Sequence, residues 1–128
     1  ESGKPFHIQQ AEQIRLFRAA WAEAGHPGTP RVSVSRSIFA LMDDRDRAYF
    51  GRGGKEADQI GFIEDSRKIF GRGYAAEPDE LIRELATDEA IAEADTLLLT
   101  VPNMLGVAYN THVIEAILTH VAPALGWR

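Results

Sequence analysis

Any chemistry this chain performs must be done with four histidines, scattered carboxylates, a few glycine-flanked arginines and no cysteine. The missing thiols exclude disulfides and thiolate nucleophiles and fit a reducing, cytoplasmic setting. His112 and His120 stand eight residues apart, whereas a helical zinc pair needs the i,i+4 spacing. His7 and His26 fall near helix ends, so no metal site is expected. The run Asp43-Asp44-Arg45-Asp46-Arg47 and the pair Arg15 and Arg18 are mixed or single-sign charges that read as solvated helix faces. Glu64-Asp65 and Asp88-Glu89 read the same way, and no spacing supports a Ser/His/Asp relay or a catalytic carboxylate pair.

One pattern invites an anion. Phe50-Gly51-Arg52-Gly53 recurs as Phe70-Gly71-Arg72-Gly73, and a Gly-Arg-Gly turn can offer backbone N–H groups and a guanidinium to a phosphate. The Walker pattern is absent, since Lys55 is followed by Glu56 where Ser or Thr is needed. The competing reading makes Gly51 and Gly71 left-handed caps of helices ending at Phe50 and Phe70.

The elements that must position such groups follow from periodicity. His7 to Ala24 is an amphipathic helix with Ile14, Phe17, Trp21, Ala11, Ala20 and Ala24 on one face, closed by Gly25 at C′. Trp21 reads as core on this spacing, with a ligand platform as the alternative. Arg31 to Leu41 alternates as a strand, with Val32, Val34, Arg36 and Ile38 on one face and Ser33, Ser35, Ser37 and Phe39 on the other. Arg36 interrupts the apolar set. Either a bulge re-aims it toward the strand's C-terminal mouth, or its stem lies along apolar surface with the guanidinium on a carboxylate. Lys55 to Phe70 is expected as a helix weakened by Gly61. A further helix opens at Pro78, buries Leu81, Ile82, Leu85 and Ala86, and runs to about Ala94. Thr96 to Val101 is an apolar run of the kind covered on both faces in a parallel sheet, ended by Pro102. After a loop, Val113, Ile114, Ile117, Leu118 and Val121 mark a last helix, with Asn110 or Thr111 as its N-cap. Two neighbouring parallel strands joined by helical segments are therefore expected, in one domain over 1–128.

Composition narrows the partners. A net charge of −5 argues against a general nucleic-acid surface. No apolar run approaches the roughly 20 residues of a membrane span. The opening ESGKPF reads as a cut end more than a natural start.

The stretch LLLTVPN, a glycine-containing loop and HVAPALGW, together with PRVSVSRSIFALMDDRDRAYFGRGG, resembles the C-terminal part of the luciferase-like flavin-dependent monooxygenases over nearly the whole chain. The resemblance implies an α/β fold, a C-terminal sector of a (β/α)8 TIM barrel holding about the last two strands and their helices. A complete barrel needs about 200 residues or more, typically ~250, so the chain would be the last third of an enzyme. The resemblance also implies reduced FMN, or a deazaflavin in some branches, with oxygen and a small organic substrate as partners, and a homo-oligomer. No catalytic residue carries over, because family residues of that kind lie largely on earlier strands. The family loop more often reads VPNQLGVDYN, so no hydrogen-bonding role is carried to Met104 or Ala108.

In such a barrel the loops after the strands form the mouth. Mapped onto this chain, Arg36, Ser37 and Asn103 become the cofactor-binding candidates, and Phe39, Thr100, Gly106 and Tyr109 the substrate-pocket candidates. Asn103 has the donors and acceptor to orient a flavin or substrate group, or closes a turn after Pro102. The other class of function open to this sequence is a small non-catalytic α/β binding or interaction module.

Overall fold

A computed structural model of the protein describes residues 3–51, 56–63 and 66–127, with side chains described outside 52–72 and Asn103. Helix α1 (Phe6–Glu23) starts where the Ile8 and Gln9 N–H groups bond to the Pro5 carbonyl. It ends where Gly25, at φ 81°, turns the chain away as the C′ residue. Its buried stripe is narrower than the periodicity implied. Ala11 and Ile14 are buried, but Phe17 is 48% exposed. Trp21 closes the corner beyond the helix, its indole N–H donating to the Pro27 carbonyl (3.2 Å) and its ring lying 4.8 Å from that of His26.

Strand β1 (Ser33–Ala40) follows its alternation: Val34, Arg36, Ile38 and Ala40 are buried, Ser33 and Ser35 exposed. Four strands among the described residues form one sheet in the order β2-β3-β1-β4. Strand β4 (Thr96–Leu99) lies parallel to β1, with Val34 opposite Leu97 and Arg36 opposite Leu99, so the expected neighbouring parallel pair is present. The surprise is on the other side of β1. Strand β3 (Ser66–Ala76) also runs parallel to it, Ser37 opposite Gly73 and Ala40 opposite Ala76, and carries an antiparallel partner, β2 (Glu56–Ile63).

That hairpin overturns the helix expected over Lys55 to Phe70. Gly61 costs a helix about 1 kcal/mol, and Ile60 and Phe62 satisfy a period of two as readily as Ile60 and Ile63 satisfy a helical one. Burial of Tyr74 and Ala76 in the core then decides for strand. Gly71 is accordingly a β3 residue opposite Gln59, not a cap. Gly51 does follow a helix, α2 (Asp44–Phe50), but at φ −78° it is right-handed. Glycine suits it for another reason: a Cβ there would lie 2.6 Å from the Arg47 carbonyl oxygen.

The next helix is also divided. α3 (Pro78–Ala86) begins on proline and buries Leu81 and Leu85, and α4 (Glu89–Glu93) restarts after Asp88, whose carboxylate accepts the Ala90 and Ile91 N–H groups. The last long helix, α5 (Gly106–His120), starts earlier than expected, so Asn110 and Thr111 lie inside it, and the Thr111 hydroxyl donates to the Val107 carbonyl. A short α6 (Ala122–Leu125) ends at Gly126, φ 70°.

The core joins Ile38, Tyr74, Leu81, Leu85, Val113 and Ile117, and a second cluster joins Ala11, Ile14, Val34 and Ala90. α1, α3, α4 and α5 therefore all pack on the face of β1 that carries Val34 and Ile38. The opposite face bears Ser33, Ser35 and the 55%-exposed Leu98. The fold is α/β with three parallel strands. Its order does not reproduce consecutive barrel strands, because β3 sits where the strand preceding β1 would stand.

Candidate functional site

The chain leaves β1 toward one edge of the sheet, then returns from β3 past β1 to β4. In open α/β sheets ligands bind outside the carboxyl ends of strands where the winding reverses in this way. At that end stand the segment after β1, helix α2, the 3₁₀ turn Asn103–Leu105 and the start of α5. Gly106, at φ 85°, makes the turn from the 3₁₀ segment into α5.

A cluster of hydrogen-bonded side chains ties these segments together. Asp43 is the N-cap of α2, its Oδ1 accepting from the Asp46 N–H at 2.8 Å. Asp46, on the first turn, folds back so that Oδ2 accepts the Met42 N–H at 3.0 Å. Its Oδ1 accepts the Tyr109 hydroxyl, and His112 Nε2 lies 2.9 Å from both carboxylate oxygens. Tyr109 and His112 share one face of α5 at i,i+3. An ionised carboxylate only accepts, so Nε2 carries the hydrogen in this arrangement. The second oxygen of Asp43 lies 3.8 Å from the same nitrogen.

Electrostatics follow from burial and these donors. Asp46 is 2% exposed. Burial by itself would raise its pKa, but hydrogen bonds from Tyr109, His112 and the Met42 N–H outweigh that and hold it below the usual carboxylate range. The Tyr109 phenol is pushed up, first by burial and then by its bond to Asp46. The Arg45 guanidinium lies over the Tyr109 ring at 4.5 Å, and Tyr49 meets that ring edge-on.

The sequence-derived candidates divide. Arg36 lies on the helix-covered face, fully buried: Nε and Nη2 donate to Asp88 at 2.9 and 3.2 Å, Nη2 to Gln10 and Nη1 to the Ser35 carbonyl. Tyr74 donates to the same carboxylate at 2.7 Å. Of the two readings of Arg36, the paired guanidinium is the one found, and Asp88 is buried where it was expected to be solvated. Ser37 and Phe39 alternate onto the other face, where Phe39 stacks on Phe50 with centroids 3.8 Å apart. Phe50 lies 6.3 Å from Tyr109, so an aromatic row leads from that face to the cluster. Thr100 is exposed and its N–H donates to the Arg36 carbonyl. The side chain of Asn103 lies outside the described residues, as do Arg52, Gly53, Glu64 and Asp65.

Asp46 and His112 are what residue spacing missed, being 66 positions apart. Asp46 is buried, so its part of the 43–47 run is no solvated face. One signal was available: Asp43-x-x-Asp46 has the form of a capping box with the shorter acid at N3. No protein-family model, curated protein or solved structure matches this chain.

Proposed function

We propose that the chain is the C-terminal sector of a luciferase-like, flavin-dependent monooxygenase of TIM-barrel architecture, a cytoplasmic enzyme that oxidises a small organic substrate with reduced FMN, or a deazaflavin, and oxygen. Beside the sequence resemblance, the observation that carries this reading is the uncovered sheet face. Parallel sheets bury both faces, yet Ser33, Ser35 and Leu98 are exposed among the described residues. In a barrel that face is the interior, filled by side chains of the remaining strands.

The residues present fit a flavin in part. Phe39 on Phe50 gives an aromatic wall, with Ser37 as a polar contact and Thr100 and Gly106 toward the substrate side, while Tyr109 is buried with its hydroxyl on Asp46. Arg36, held by Asp88, gives no cation for a flavin phosphate. A bound reduced flavin would supply the electrons for oxygen activation. The work of these residues is to orient the ring and exclude water.

A pocket built by many strands is needed for tight binding. The chain alone should therefore bind FMN with a Kd weaker than about 1 μM, or about −8 kcal/mol. Flavin retained one-to-one through gel filtration would contradict this. The same exposed surface should drive self-association. Light scattering at high concentration is expected to show species above 14.1 kDa, and Leu98→Lys should weaken association at least tenfold, since burying a leucine is worth about 1.5–3 kcal/mol. A strictly monomeric chain would favour the other reading, a self-standing α/β binding module with its crevice at the β1/β4 reversal.

A further inference from the structure

We propose that Asp43, Asp46 and His112 form a binding site for a divalent transition-metal ion of the zinc class. The inference is independent of the flavin reading and concerns chemistry that reading does not require.

The ligand atoms are already gathered. His112 Nε2 stands 2.9 Å from both oxygens of Asp46 and 3.8 Å from Asp43 Oδ2, and one ligand atom from each residue falls within 4.8 Å of the other two. Around a tetrahedral ion with bonds of about 2.0–2.2 Å, neighbouring ligand atoms sit about 3.3–3.6 Å apart. The triad needs only small side-chain adjustments to meet this. The ion takes the place of the hydrogen on Nε2, and the imidazole that binds it stays neutral by carrying its hydrogen on Nδ1.

Backbone N–H groups and the Tyr109 hydroxyl orient the carboxylates. Asp43 Oδ1 is fixed by the Asp46 N–H, which leaves Oδ2 without a hydrogen bond among the described residues. Asp46 is fixed by the Met42 N–H on one oxygen and the Tyr109 hydroxyl on the other. Each oxygen has two acceptor sites, so one on each remains for an ion. Outer hydrogen bonds of this kind tune and orient metal ligands. Charge and access agree as well. Among the described residues neither carboxylate is paired with a lysine or arginine, and Arg47 is engaged by Asp44 and Glu77 instead. The Asp43 and His112 side chains are 47% and 28% exposed while Asp46 is 3% exposed, so solvent reaches the cluster from one side. One imidazole nitrogen with carboxylate oxygens suits borderline ions such as zinc over calcium or magnesium. Three protein ligands leave a position for water or a substrate oxygen.

Zinc titrated calorimetrically into the full chain, freed of metal by chelation, is expected to bind one-to-one with a Kd in the micromolar range or tighter. Asp43→Asn keeps the N-cap, because asparagine caps as well as aspartate, yet removes an anionic ligand. It should weaken zinc at least tenfold with unchanged circular dichroism, and His112→Gln should do the same. His120→Gln, altering an exposed histidine on the same helix, should leave affinity unchanged. The proposal is overturned by no binding at 100 μM zinc, by loss in His120→Gln with none in Asp43→Asn or His112→Gln, or by calcium or magnesium binding at this cluster in preference to zinc.

Discussion

Asp88→Ala should destabilise the chain by about 3–5 kcal/mol, the usual cost of leaving one partner of a buried ion pair uncompensated. The carboxylate has five hydrogen bonds to lose. It meets two Arg36 nitrogens, accepts the Tyr74 hydroxyl, and caps α4 through the Ala90 and Ile91 N–H groups. Both side chains of the pair are fully inaccessible, so the guanidinium left behind has no solvent to turn to. Against a total stability of about 5–15 kcal/mol for an ordinary domain, such a loss would shift the urea midpoint well outside error. A cost under about 1 kcal/mol would mean that Arg36 finds another partner and that the pair does not hold α4 against β1. Replacing both residues with apolar ones should cost less than the single change, because it leaves no charge unpaired, though the α4 cap would still be lost.

Asp46→Ala should cost about 2–4 kcal/mol, since it strands the buried Tyr109 hydroxyl and the Met42 N–H and releases His112. A second readout separates this from general loosening. The Tyr109 phenol, pushed up by burial and by Asp46, should titrate lower in the variant, followed by its ultraviolet absorbance. The wild-type chain should also be acid-sensitive in a defined direction. Asp46 and Asp88 both have folded-state pKa values held below the ordinary value of about 3.9. Their contribution is therefore complete above that value and is lost as pH falls below about 4 toward the folded-state values. A urea midpoint that stays flat from pH 5 down to pH 2.5 would contradict this.

The contrast between these two networks shows how far the sequence could be read. Arg36 betrayed itself by breaking an apolar alternation, so a buried pairing was foreseeable, but its partner lies 52 residues away and no local pattern marks Asp88 as different from Glu89. β1, β4 and Gly25 were legible because their signals are local: alternation, an apolar run, a glycine at the end of a periodic helix. The β2–β3 hairpin was not, because its strand character depends on β3 lying beside β1. The Asp46 and His112 contact is likewise a product of topology, created when the chain returns past β1 and sets the first turns of α5 against α2. Phe17 and Leu118 erred the other way: both have core spacing, yet they are 48% and 60% exposed.

The natural protein that carries this sequence gives the most direct measurement. Its intact mass and its oxygen uptake with reduced FMN, taken together on the purified product, test whether the uncovered β1 and β4 face is the inside of a larger barrel. The expected result is a chain of about 200 residues or more that consumes oxygen with reduced flavin. A product of 14.1 kDa with no flavin-dependent oxygen uptake would contradict it.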